Sequence, residues 1–249
     1  MKLAEMRFTV EIAEIPIEIC CRYSKNKAFM EDFMSLKEPC ITVEVTEKEL
    51  AAFRTWTDEL VSHGFEEYRF SEPACELVLI HNKLSQELLN YDILLVHGSA
   101  ISMDGDVYLF TAPSGTGKST HTRLWREAFG DRTMMINDDK PMLKIQRDGV
   151  EVYGTPWQGK HHLGCNNHRP LKAIIELERG TENRIRRISA ADAFPVLRKQ
   201  AVAFQDVGLM TKILSLEKTL VETIPFYHLN CNMEREAALV AWQGMNQEK

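Results

Sequence analysis

Residues 112–119 read Ala-Pro-Ser-Gly-Thr-Gly-Lys-Ser, with a lysine and a hydroxyl directly behind two closely spaced glycines. That order suits phosphate binding. Gly115 and Gly117 let the backbone curl until its N–H groups, with those of Ser114 and Thr116, face phosphate oxygens. Lys118 is placed to reach the β- and γ-phosphates of a nucleotide. Ser119 can put its hydroxyl on magnesium, with Thr120 beside it. The stretch matches G-x-x-x-x-G-K-[ST] except that Ala112 stands at the first glycine. A glycine-rich turn with an incidental Lys-Ser is the rival reading. The flanking pattern disfavours it, because a strand-like run leads into the loop and a helix-like run leaves it.

A second chemical signal lies one helix and one strand further on, in Ile-Asn-Asp-Asp-Lys-Pro, residues 136–141. Side chains alternate along a strand, so Asp138 and Asp139 should diverge and can divide two tasks. One can hold magnesium; the other can take the proton of an attacking hydroxyl. Asn-Asp-Asp is also ordinary turn chemistry, and it is the preceding phosphate loop that tips the reading toward function. His97, on the strand before the loop strand, can come beside these carboxylates and bias their protonation. In Gly154–Lys160 the glycines fit a movable loop, and Lys160 can reach a phosphate; a plain surface loop around Trp157 is the bland alternative. His161, His162, Cys165 and His168 have the ligand types for zinc, but their spacing matches no standard module.

Positioning these groups takes a particular set of elements. Residues 8–20 alternate apolar and polar, as two strands pairing around Pro16 would. A strand is expected over Cys40–Thr46, then a helix capped by Thr46 with Glu49 three residues on. A helix over Pro73–Asp92 follows. Residues 93–112 read strand, turn, strand, with Asp104-Gly105 as a hairpin signal. The helix from Ser119 should stop at Gly130. Next come a strand over Thr133–Asp139, a hairpin turning at Asp148-Gly149 and a buried strand at 171–177. Helices are expected over Ala190–Ala203 and Val207–Leu220, then a late strand and a closing helix. Hairpins rather than helical crossovers feed the loop. The expected fold is therefore α/β (α+β), a mixed, largely antiparallel sheet with flanking helices. Residues 1–90 read as a small N-terminal α+β subdomain, and residues 91–249 as the phosphate-loop domain.

Composition narrows the classes. Across 249 residues, 44% are hydrophobic, enough for a sizeable core, and the net charge is −6. No basic stripe tracks a phosphate backbone, so nucleic acid is not an expected partner. The densest basic run, residues 183–188, reads as a strand with solvated arginines. No window approaches the about 20 apolar residues of a membrane span, and the first residues lack a secretory pattern, so the expected location is cytoplasmic. The six cysteines form no C-x-x-C pair and read as reduced thiols.

Taken together, His97-Gly-Ser-Ala-Ile, the Asp-Gly turn, the loop at 112–119, Asn137-Asp-Asp-Lys-Pro and Gly154-Thr-Pro-Trp-Gln-Gly-Lys resemble the HPr kinase/phosphorylase catalytic domain. That family shares its core with ATP-dependent phosphoenolpyruvate carboxykinases. The motifs cover residues 97–160. The resemblance implies a kinase using ATP and Mg²⁺, with Lys118 on the phosphates and Ser119 on the metal. His97 would support a catalytic aspartate, and the Asp pair would supply base and metal ligand, with Asp138 favoured as base and Asp139 as ligand. The chain differs from the family in having Thr120 and His121 where an acidic residue usually follows the loop serine. It also has Gly154–Lys160 where the family carries a glycine-rich signature. The expected activity is γ-phosphate transfer to a hydroxyl, with a serine of a peptide, protein or small metabolite as the expected acceptor. Its rivals are a nucleotide-hydrolysing switch and a binding module that kept the loop.

Overall fold

The structure is a computed structural model that describes residues 5–246. The chain forms two compact units, dividing between Leu88 and Leu89.

The first unit is a three-stranded sheet with helices. Strands β1 (Met6–Ile12) and β2 (Ile15–Cys21) pair antiparallel, and β3 (Ile41–Glu44) joins β2 in parallel. The hairpin turns at Ala13 and Glu14, both with positive φ (52° and 65°), and not around Pro16. Pro16 instead lies within β2 opposite Glu11. Two consecutive residues with positive φ match the right-handed twist of the strands. Helices α1 (Ser24–Phe29), α2 (Glu47–Ser62) and α3 (Glu72–Leu88) complete the unit. Thr46 and Glu49 form a reciprocal capping box at the start of α2, as their spacing predicts. The α3 helix ends before Asp92, and its continuation at Leu89–Tyr91 is a single 3₁₀ turn.

The second unit is built on a nine-stranded mixed sheet. Its strands are β4 (Ile93–Leu95), β5 (Ser99–Met103), β6 (Asp106–Thr111), β7 (Thr133–Asn137), β8 (Met142–Gln146), β9 (Gly149–Tyr153), β10 (His168–Arg179), β11 (Arg184–Ile188) and β12 (Phe226–Cys231). The order is β4-β8-β9-β10-β6-β5-β7, with β12 also on β10 and β11 on β12. Only β6 and β12 run parallel to β10; the other pairings in this sheet are antiparallel. The stretch at 93–112 thus holds three strands. It breaks at Gly98, where a Cβ would meet the Phe110 carbonyl at 2.9 Å. The β8–β9 turn sits at Arg147-Asp148, with Gly149 already paired to Gln146.

Helices α4 (Lys118–Phe129), α5 (Ala190–Gln200), α6 (Val207–Thr223) and α7 (Glu236–Asn246) cover both faces. The alternation of β6 decides which core each helix joins. Val107 and Leu109 face one way, packing with Leu197, Ile213 and Leu220 of α5 and α6. Tyr108 and Phe110 face the other, packing with Trp125 of α4 and Ala241 of α7. Both faces of β6 are buried, which explains its near-continuous apolar sequence. Among the described residues, no helix is long and apolar enough to cross a membrane.

Candidate phosphate-loop site

Strands β6, β10 and β12 run in one direction, so Thr111, Arg179 and Cys231 end at the same edge of the sheet. The loop at 112–117 leaves β6 there and enters α4. Gly115 and Gly117 have φ of +78° and +124°, backbone that L side chains rarely adopt. Gly117 is the residue preceding α4, so the amides of its first turn open toward the loop. Ser114 and Ser119 are exposed, while Thr116 and Thr120 are half-buried. Lys118 is 8% exposed, and its Nζ donates to the Ala112 carbonyl at 2.8 Å. Burial lowers the Lys118 pKa; the Asp139 carboxylate opposes that shift.

The carboxylates sit just beyond β7, which ends at Asn137, and their environments differ. Asp138 is 4% exposed. Its Oδ1 accepts from the Gly159 amide at 2.6 Å, and its buried Oδ2 has no partner. Asp139 is half-buried, with Oδ1 3.4 Å from His97 Nε2. Burial alone would raise the Asp139 pKa. The His97 contact, Lys140 and Lys118 together outweigh it and hold the carboxyl below its ordinary value. The other ring nitrogen of His97 lies 3.2 Å from Gln200 Oε1. With the Gln200 carbonyl oxygen as acceptor, Nδ1 carries a proton and Nε2 faces the Asp139 carboxylate.

The loop thus gathers Lys118, Asp139 and His97, and Asp138 is held against the segment after β9. Lys160, next to Gly159, is exposed, and its ammonium has no partner among the described residues. His161, His162, Cys165 and His168 do not converge as ligands. His168 pairs with Glu151 at 3.1 Å, and the Cys165 thiol donates to the Met135 carbonyl. His121, one turn into α4, accepts from Trp125 Nε1 at 3.1 Å and is pushed down to about 3 by burial. It is a neutral core residue under the loop.

Three positioning residues escaped the sequence reading. Asn137 is fully buried, and its Nδ2 donates to both oxygens of Thr155 and to the Trp157 carbonyl. Its Oδ1 accepts from the amides of Asp139 and Lys140 at 2.9 and 2.8 Å. By sequence it reads as turn chemistry only, since its long-range partners leave no local mark. Arg179, at the end of β10, donates to the carbonyls of Thr116 and Gly115 and braces the loop from outside. Gln200 holds His97 through side chain and backbone; nothing local marks either residue.

Two cavities flank the first turn of α4. One, of about 480 Å³, is lined by Thr116, Leu124, Leu177, Arg179, Cys231 and Met233 among others. Its mixture of apolar and polar groups suits a nucleoside. The other, of about 370 Å³, opens beside Ser119.

No protein-family model matches the sequence, and no curated protein matches it. Among solved structures, the chain is similar to the HPr(Ser) kinase/phosphatase from Coxiella burnetii. The TM-score is 0.37 at 12% identity, over 61% of this chain and 88% of that one. So distant a likeness assigns no residue a role, and the site stands on its own geometry.

Proposed function

We propose that this chain is a kinase of the HPr-kinase-like type, transferring the γ-phosphate of ATP to a hydroxyl with Mg²⁺. The observation that carries the reading is a pair of carboxylates in unlike settings beside a phosphate-loop lysine. A loop that only binds nucleotide has no use for the buried, unpartnered oxygen of Asp138. That oxygen is open to a proton, and the exposed Ser119 hydroxyl is available to a metal. When bound, Mg²⁺ would neutralise charge on the phosphates.

The chain's own groups divide the remaining work. The amides of residues 114–119 hold the phosphates. Lys118 exchanges the Ala112 carbonyl for phosphate oxygens. Asp139, its carboxyl held down beside His97, and Ser119 would be the residues to hold the metal. A depressed pKa makes a good ligand and a poor base, so Asp138 is assigned the proton of the acceptor hydroxyl, taken up at Oδ2. Positioning and charge neutralisation lower the barrier.

The test is incubation with γ-labelled ATP and Mg²⁺ in a host lysate, with Lys118→Ala as control. Label on a peptide, protein or metabolite, lost in the variant, supports the kinase. Label found only as free phosphate overturns it in favour of a nucleotide-hydrolysing switch.

A further inference from the structure

The cavity beside Ser119 has a one-sided chemistry. It is lined by Ser119, Thr120, Arg123, Arg126, His161 and Leu163, with no carboxylate among them. For a chain of net charge −6, such a cavity is not what the bulk composition delivers. Arg123 and Arg126 lie three residues apart on α4, so both project from one face of the helix. Arg123 is partly compensated by Glu127 at 2.6 Å. Arg126 has no acid partner among the described residues, and its Nε is sealed from solvent without a hydrogen-bond acceptor. Guanidinium groups match the planar oxygens of carboxylates and phosphates two bonds at a time.

The cavity also stands where an acceptor must stand. Ser119, on its rim, belongs to the phosphate loop. On the other wall, His161 follows Gly159, whose amide holds Asp138. Two residues of chain span at most about 7 Å, so His161 is tethered close to the proposed base. The larger cavity, which shares Thr120 with it, extends toward Leu177 and Cys231.

We infer that this cavity is an acceptor subsite for a hydroxyl compound that also carries an anionic group, a carboxylate or a phosphate, held by Arg126 with help from Arg123 and His161. The anion anchors the acceptor, and its hydroxyl is turned toward Asp138 and the loop. The inference rests on the kinase reading for the hydroxyl's role; the anion site itself is a matter of binding alone.

Three probes with one three-carbon hydroxyl skeleton separate the possibilities: glycerol, glycerate and glycerol 3-phosphate. Each is titrated by calorimetry or NMR onto the full chain preloaded with Mg²⁺ and a non-hydrolysable ATP analogue, which keeps phosphate off the loop. At least one anionic probe should bind tenfold or more tighter than glycerol. Glycerate and glycerol 3-phosphate tell a carboxylate source from a phosphate source. Arg126→Ala should weaken that probe by tenfold or more, and Arg126→Lys should recover part of it, with nucleotide affinity held within twofold. His161→Ala, at an exposed position, gives a smaller loss without threatening the fold. Equal affinity for all three probes, absence of binding by both anions, or indifference to Arg126→Ala overturns the inference. Failure of the analogue itself to bind refutes the kinase reading instead, and the same titrations on the free chain still decide the anion site.

Discussion

The Gly159 amide donates to Asp138 Oδ1 at 2.6 Å, and a Cβ at Gly159 would stand 2.8 Å from Oδ2 of the same carboxylate. The backbone approaches this side chain as closely as glycine permits. Gly159→Ala must therefore move either the loop or the carboxylate. Because geometry at a reacting group is worth orders of magnitude, turnover should fall about 10- to 100-fold. Nucleotide binding, which depends on residues 114–119, should stay within twofold to threefold. Steady-state turnover and equilibrium nucleotide titration check this together. Unchanged turnover would detach Asp138 from the chemistry.

Asp139 owes its depressed pKa in large part to His97. A carboxyl depressed on folding adds stability above its unfolded pKa, about 3.9, and loses it as pH falls through the folded value. His97→Asn removes the imidazole that helps hold this carboxyl down, so the Asp139 pKa should rise toward the ordinary carboxylate range. The acid limb of the pH–rate profile should then move to higher pH, with the plateau rate less affected. An acid limb that stays in place would show that Asp139 is not the group titrating there.

Asn137 satisfies three acceptors and two donors around the turn that carries both aspartates. Asn137→Ala leaves the amides of Asp139 and Lys140 without this acceptor. Each buried polar group left unpaired costs about 1–3 kcal/mol, so the melting temperature should drop by several degrees. Turnover should fall with it, since the carboxylates lose their frame. Calorimetry and turnover measured well below the transition separate the two effects. A stable variant with full activity would contradict the framing role.

How far the sequence carried this picture depended on the range of each signal. Local rules located the Thr46–Glu49 capping box, the Asp104-Gly105 turn and the positive-φ glycine pair before α4, because each is complete within a few residues. The mixed sheet followed from hairpins feeding the loop. The Ala13-Glu14 turn was illegible, since neither residue type advertises positive φ, and Pro16 drew the reading away. The two clamps on the site were hidden for another reason. Asn137 reaches Thr155 and Trp157, and His97 reaches Gln200, across long separations in the chain that no local pattern encodes. Arg123 and Arg126 share a cavity with His161 and Leu163, residues far along the chain, and no local pattern encodes that meeting.

Behind His97, the end of α5 is fixed by Arg198, which is held by the buried Glu217. Arg198 binds Glu217 and also donates to the carbonyls of Ala201 and Val202. That segment hydrogen-bonds the backbone of Leu95 and His97. Glu217 is fully buried, its Oε2 has no partner, and burial pushes its carboxyl up to about 7 despite Arg198. A carboxyl raised on folding gives its full stability below its unfolded pKa, about 4.3, and loses it as pH climbs through the folded value. Between pH 5 and 8 the protein should therefore lose stability of order 1–3 kcal/mol through this group. Glu217→Gln keeps the shape and cannot ionise. Its melting temperature should match the parent at pH 5 and exceed it at pH 8. Thermal melts of both proteins across that range decide the matter. An equal decline in the variant would place the pH sensitivity elsewhere.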